Sequence, residues 1–190
     1  SDVCSSDLEK NIPEAQSINQ KIIHTIPIKH RIDNKPVLGR PTDMKGSRLE
    51  SEVLFVSALE NHVNDLIEAV EDADIEVIDA MASPIASSFV TLSKTQKVAG
   101  CVLANLGAET VSIVVFENNV PIYLEVFPVG GTDITNDIAL GLKIPIEEAE
   151  QVKRGGMIST AYSQKKLEDI VSARLADILD LIDAHLKKIG

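Results

Sequence analysis

The stretch VAGCVLANLGAETVSIVVFENNVPIYLEVFPVGGTDITNDIALGL, residues 98–142, decides how this chain folds. An apolar strand from Val98 enters the tight turn Asn105-Leu106-Gly107-Ala108-Glu109-Thr110, and a second strand runs from Val111 to Phe116. The chain turns at Asn118-Asn119, and Pro121 to Pro128 returns as a third strand. Gly130-Gly131-Thr132-Asp133 then starts a helix with Ile134, Ile138 and Leu142 on one face, capped by Thr132 or Asp133.

Outward from this stretch, the rest of the chain sets limits. With 190 residues, 44% of them hydrophobic, the chain can bury a core for one domain plus a smaller unit. The net charge of −11 argues against nucleic acid or an anionic membrane as a partner of the body of the protein. Aromatic residues make up 3% and Trp is absent, which leaves little material for stacking on bases or sugars. No apolar run approaches the roughly 20 residues that span a bilayer. Two cysteines, Cys4 and Cys101, are too few for a disulfide framework and point to a reducing, cytoplasmic compartment.

Residues 1–8, Ser1-Asp2-Val3-Cys4-Ser5-Ser6-Asp7-Leu8, match the translation of a common sequencing adapter and have no signal-peptide character. They are read as foreign to the natural frame, so Cys4 carries no meaning and the chain is expected to be an internal fragment. Beyond them, Pro13 to Gln20 reads as a short helix, Lys21 to Ile28 as an Ile-rich strand broken by Pro27, and Asp33 to Gly46 as a loop. Arg48 to Ser57 reads as a strand. Leu59 to Ala73 reads as an amphipathic helix, with Leu59, Val63, Leu66, Ile67 and Val70 at steps of three and four. A short strand is expected at Ile75 to Ala80, and a helix from Pro84 to about Leu92 with Ser83 as its N-cap. Pro145 introduces a helix over Ile146 to Arg154 that Gly155-Gly156 ends. The last helix, Gln164 to Ile189, carries one apolar stripe through Leu167, Ile170, Val171, Leu175, Ile178, Ile182, Leu186 and Ile189, as a core-docking helix does.

Several separated motifs, in order, carry a family resemblance. They begin with His24-Thr25-Ile26-Pro27, Ile32-Asp33, Gly39, Pro41, Met44, Gly46 and Arg48-Leu49-Glu50. Pro84-Ile85-Ala86-Ser87-Ser88 follows, then Val129-Gly130-Gly131 with Ile134-Thr135-Asn136-Asp137-Ile138-Ala139, then Ala149-Glu150-Gln151-Val152-Lys153. Over residues 9–190 the chain resembles the bacterial cell-division FtsA family. The resemblance implies an α/β fold: part of an actin-like (ribonuclease H-like) ATPase fold with a small α+β strand–helix–strand–strand (SHS2) module. It places that module at 9–74 without its first strand and a return to the first large subdomain at 75–97. The second large subdomain starts over 98–143 with its phosphate-type hairpin, and a smaller helical subdomain, partly trimmed between Gly156 and Leu167, spans 144–190.

The same resemblance implies an adaptor at the inner face of the cell membrane at the division site. Its expected partners are the tubulin-like protein FtsZ through its C-terminal peptide, further copies of itself in filaments, and other division proteins. Its membrane contact would be a C-terminal amphipathic helix outside residues 1–190. Arg174 matches an arginine of the FtsZ-facing subdomain, although a helical Arg three residues before Asp177 also reads as a surface ion pair.

In actin-like sites a glycine-rich hairpin brings backbone N–H groups to the terminal phosphates of ATP, and an Asp at its start holds Mg²⁺ or its waters. Here that position is Asn105, Gly107 and Thr110 remain, and the later glycines are Ala108 and Glu109, which sets a carboxylate where phosphates approach. Two readings stay open: a hairpin that binds ATP weakly without turnover, and an inherited hairpin that binds nothing. Gly130 and Gly131 either present N–H groups to an anion or simply connect strand to helix. Glu150 and Lys153 share a helix face, beside ribose and adenine by resemblance or as an ordinary ion pair worth a few tenths of a kcal/mol. No complete catalytic set and no metal-ligand spacing among His24, His30, His62 and His185 is present, and Cys101 reads as a buried small hydrophobe. Efficient ATP hydrolysis is not expected. The alternatives are an actin-like type IV pilus assembly protein, which the Met44 to Glu50 run disfavours, and a weak ATPase or sugar-kinase relative of the same fold.

Overall fold

Among the described residues of this computed structural model (19–37, 39, 41, 43–158 and 161–189), two three-stranded sheets and six helices form. The strands are β1 (Gln20–Ile32), β2 (Lys35–Val37), β3 (Leu49–Leu59), β4 (Cys101–Leu106), β5 (Val111–Glu117) and β6 (Val120–Phe127). The helices are α1 (Glu60–Glu71), α2 (Ser83–Thr91), α3 (Lys94–Ala99), α4 (Gly131–Leu142), α5 (Ile146–Lys153) and α6 (Gln164–Ile189). The chain divides into two compact units, Ser1–Leu103 with Val114–Leu124, and Ala104–Ile113 with Glu125–Gly190. The adapter-like residues 1–8 and the greater part of the helix expected at 13–20 lie outside the described residues; Gln20 itself begins β1.

In the first unit, β1 lies between β2 and β3 and pairs antiparallel with both. Pro27 does not break β1 at Ile28 as the sequence suggested. The strand continues to Ile32, and a register shift between Pro27 and Lys29 absorbs the proline. The segment read as a loop from Asp33 to Gly46 contains β2, entered through a two-residue turn in which Asp33 and Asn34 have φ of 48° and 65°. Asp33 also closes the far end of that segment. Its carboxylate accepts from the Ser47 hydroxyl at 2.6 Å and from the Arg48 amide at 2.9 Å, and these bonds hold it below the usual carboxylate range.

Helix α1 starts one residue later than expected, with Leu59 still extended at its N-cap, and buries Val63 while half-burying Ile67; Leu66 and Val70 stay exposed. Residues 75–82 carry no strand, contrary to expectation. An extended run becomes a strand only when a neighbour takes its ladder bonds, and no described strand pairs with it: Lys21 to Ile23 of β1 face Val77 to Ala80 across a cavity, and Ile78 is 93% exposed. Ala82, not Ser83, caps α2, because the first helical carbonyl is Ala82 O, which accepts from Ala86 N at 3.0 Å.

Val98, read as the start of a strand, belongs to the short helix α3, whose Ser93 and Gln96 form a reciprocal capping box. Lys97 on α3 is 8% exposed, donates to Ser88 Oγ at 3.2 Å, and lies over the rings of Phe89 at 4.8 Å and Phe116 at 5.1 Å. Cys101 is half-buried rather than buried.

The second sheet is ordered β4-β5-β6. Its middle strand reads as an uninterrupted apolar run and is buried on both faces, as a central strand requires. Asn118 and Asn119 join β5 to β6 with φ of 52° and 66°. In the second unit, α4, α5 and α6 enclose a core of Ile138, Ile144, Ala149, Val152 and Leu167. Helix α6 has the expected limits and turns Leu167, Ile178 and Ile182 inward, leaving Ile189 exposed. Helix α5 stops at Lys153, and Gly155 reverses the chain at φ 80°. No helix among the described residues is long and apolar enough to cross a membrane.

Candidate functional site

The turn after β4 is closed by Gly107 N–H donating to Thr110 O at 2.8 Å. It lies directly on the start of α4. Gly131 N–H donates to Gly107 O at 2.9 Å and Thr132 N–H to Ala108 O at 2.8 Å. Gly130 N–H is taken by Asp133 Oδ2 at 2.8 Å, and Asp133 N–H by Gly130 O at 3.1 Å. The cap is therefore Gly130 with Asp133 folding back, not a Thr132 or Asp133 N-cap. The amide groups of Gly130 and Gly131, considered above as anion donors, are engaged within the chain. Contact here is so close that a Cβ on Gly130 would meet Ala108 O at 2.4 Å.

Helix α5 brings Glu150 and Lys153 to the same place, one turn along α4. Lys153 Nζ donates to Gly131 O at 2.9 Å, to Thr135 Oγ1 at 2.7 Å and to Glu150 Oε2 at 2.6 Å. Three donors on one ammonium thus meet three acceptors. The Thr135 hydroxyl lies 2.5 Å from Glu150 Oε2 and 3.1 Å from Gly131 O, donating to one at a time. Arg154 Nε adds a bond to Glu150 Oε1 at 2.7 Å. Hydrogen bonds from Lys153, then Thr135, then Arg154 push the Glu150 carboxyl down to about 2. The shared face of Glu150 and Lys153 was readable from spacing. Thr135, 4% exposed and central to the network, was not, because nothing local in the sequence joins it to residues fifteen positions away.

An open cavity of about 440 Å³ adjoins this network, lined by Thr132, Thr135, Ile146, Glu147 and Glu150. Hydroxyls, carboxylates and one aliphatic side chain suit a neutral, hydroxyl-bearing group such as a ribose better than a phosphate. At its edge, Glu109 Oε1 accepts from Thr132 Oγ1 at 2.9 Å. Asn105 is half-buried at the end of β4, while Gly107, Ala108, Glu109 and Thr110 are exposed. The residues fit the nucleoside part of a nucleotide. They do not fit its terminal phosphates: Lys153 has no donor left, and the turn offers a carboxylate. No group of His, Cys, Asp and Glu among the described residues is arranged to hold a metal ion.

Arg174 is placed apart from this cavity. It does not pair with Asp177; Nε and Nη2 bind Asp137 on α4 at 2.6 and 3.0 Å, and this pairing holds its pKa above the ordinary value. Sequence spacing pointed to the wrong aspartate because only packing of α6 on α4 brings Asp137 within reach.

Two family models match the chain: "Cell division protein FtsA" over residues 102–178 and "SHS2 domain inserted in FTSA" over residues 2–57. Among curated relatives, the cell division protein FtsA of Bacillus subtilis (strain 168) is 29% identical over 97% of this chain and 48% of its own length. That of Borreliella burgdorferi is 28% identical over 100% of this chain and 52% of its own, and that of Pseudomonas aeruginosa 26% over 100% and 51%. The chain spans about half the length of the curated relatives it matches. Two solved structures share the fold: a PilM-PilN type IV pilus biogenesis complex (TM-score 0.69, 18% identity, 97% of this chain and 49% of that one) and the ethanolamine utilization protein EutJ from Carboxydothermus hydrogenoformans (TM-score 0.53, 21% identity, 65% and 42%). The chain shares their fold and is a fragment of the actin-like kind.

Proposed function

We propose, for a chain that is FtsA-like in both segments matched by family models, that the intact protein is a cell-division adaptor of the FtsA kind. The observation that carries this reading is the order of the two matches, with the inserted SHS2 domain at 2–57 preceding the FtsA match at 102–178. The adaptor links FtsZ filaments to the inner face of the bacterial membrane, associates with itself, and recruits other division proteins. Its membrane contact is a C-terminal amphipathic helix outside these 190 residues.

The site makes this protein responsive to nucleotide rather than a fast ATPase. Thr132, Thr135, Glu147 and Glu150 line the cavity that takes the nucleoside, where the two carboxylates accept hydrogen bonds from ribose hydroxyls. Lys153 fixes the Glu150 carboxylate and the Gly131 carbonyl, and so sets the first turn of α4. Gly107, Thr110, Gly130 and Gly131 keep the turn on that helix, and Asn105 positions water rather than Mg²⁺ itself. Arg174, tied to Asp137, holds α6 against α4 as the platform for the FtsZ C-terminal peptide.

The reading is tested by titrating the intact protein into a labelled FtsZ C-terminal peptide and following anisotropy. A saturable rise is expected; a flat trace up to high micromolar protein would sink the adaptor assignment. The likeness to the PilM-PilN complex favours a second reading, a pilus assembly protein. A basic amphipathic helix at the end of the complete reading frame, shown to bind anionic vesicles, separates the adaptor from it.

A further inference from the structure

Glu109 stands in the exposed turn and reaches the first turn of α4 through the Thr132 hydroxyl. Thr132 also lines the cavity, so this carboxylate sits at the cavity edge, on the side of the turn. Around the same space lie Glu147 and Glu150; of the two nearby cations, Lys153 is held by Glu150, Thr135 and Gly131, and Arg154 is drawn to the other oxygen of Glu150. The start of a helix favours an anion because its dipole and open N–H groups face outward. Here those amides are taken by the carbonyls of Gly107 and Ala108 and by Asp133, and Glu109 supplies the negative charge.

We infer that Glu109 is a specificity-determining residue, a tethered anion that makes the cavity prefer a nucleoside diphosphate, or a less phosphorylated nucleoside, over the triphosphate. The inference rests on the nucleotide reading given above. Each added phosphate brings more negative charge toward a turn that already carries a carboxylate and lacks a free lysine. Repulsion between like charges a few ångströms apart at this solvent-exposed edge, taken between the bulk-water and protein-surface limits, changes affinity by about tenfold. Glu109→Gln removes the charge while keeping an acceptor for Thr132, and Glu109→Gly removes the side chain and frees the turn.

The test measures dissociation constants of adenosine, ADP and ATP for the intact protein and both variants at fixed Mg²⁺, with circular dichroism to verify folding. The expected result is that affinity for ATP relative to ADP rises about tenfold in both variants, while adenosine binds all three proteins alike. A ratio unchanged within about twofold overturns the role of Glu109 and leaves the nucleotide reading standing. If neither the wild type nor the variants bind any of the three ligands, both the inference and the nucleotide reading fail.

Discussion

Arg174 on α6 grips Asp137 on α4 with two parallel hydrogen bonds, Nε to Oδ2 at 2.6 Å and Nη2 to Oδ1 at 3.0 Å. Both side chains are about 30% exposed, which leaves the pair only partly screened by water. Arg174→Ala therefore removes a fork-shaped clamp and leaves Asp137 near Asp133 without a counter-charge. The expected loss of unfolding free energy is about 1 kcal/mol, discounted from the value of a buried pair because of that exposure. Arg174→Lys, with one nitrogen centre in place of the fork, recovers less than half of it. Urea denaturation of the two variants checks this, and equal stability of wild type and alanine variant would refute it.

Glu150 gives a pH prediction whose sign is fixed by its depressed pKa. The ordinary carboxyl value is 4.5 and the folded one about 2, so its contribution is fully present above the unfolded value and disappears as pH falls from 4.5 through about 2. Asp33, also lowered, acts in the same direction. In Glu150→Gln the denaturation midpoint should decline less steeply across this acid window than in wild type. Parallel curves for the two proteins would contradict the network drawn around Lys153.

Gly130→Ala places a methyl group 2.4 Å from Ala108 O and 2.8 Å from Gly107 O. Backbone atoms cannot rotate away as a side chain can, so the turn must lift from α4. The expected cost is about 2 kcal/mol, within the usual range for overpacking. Amide hydrogen exchange gives the sharper readout, since the Gly131 and Thr132 amides lose their carbonyl acceptors and should exchange faster.

Lys97 carries its charge between two aromatic rings and a serine hydroxyl, and none of the ion pairs among the described residues includes it. Its stem fills space, and its ammonium gains about 1 kcal/mol from the rings. Lys97→Met, which keeps most of the volume, should cost at most about 1 kcal/mol, whereas Lys97→Ala should cost about 2 kcal/mol by adding a cavity. Thermal unfolding of both variants decides it; an alanine variant as stable as the methionine one would show that volume is irrelevant there.

Regular elements were legible where one local rule governs them. The limits of α6 follow from its apolar stripe, and the Asn118-Asn119 turn from the φ those residues tolerate. Elements that depend on a neighbour were not. Ile75 to Ala80 has strand composition but no described partner, and Pro27 sits in a central strand only because the register shifts beside it. Helix α3 did have a local signal, Ser93 and Gln96 at capping-box spacing, obscured by the apolar run that begins at Val98. At the candidate site, spacing joined Glu150 to Lys153, but Thr135, Glu109 with Thr132, and Arg174 with Asp137 meet only through tertiary packing.

Two main-chain bonds fasten the turn after β4 to the first turn of α4, Gly107 O to Gly131 N and Ala108 O to Thr132 N, and the Glu109 carboxylate on the Thr132 hydroxyl only adds to them. The main-chain bonds are indifferent to what residues 108 and 109 carry on their Cβ, and intolerant at position 130 and at position 107, where a Cβ would meet Thr110 O at 2.9 Å. Side chains on the turn can therefore drift, gaining a methyl group here and a carboxylate there, while the architecture persists unaltered. A ligand preference can be rewritten at this joint without the fold registering the edit.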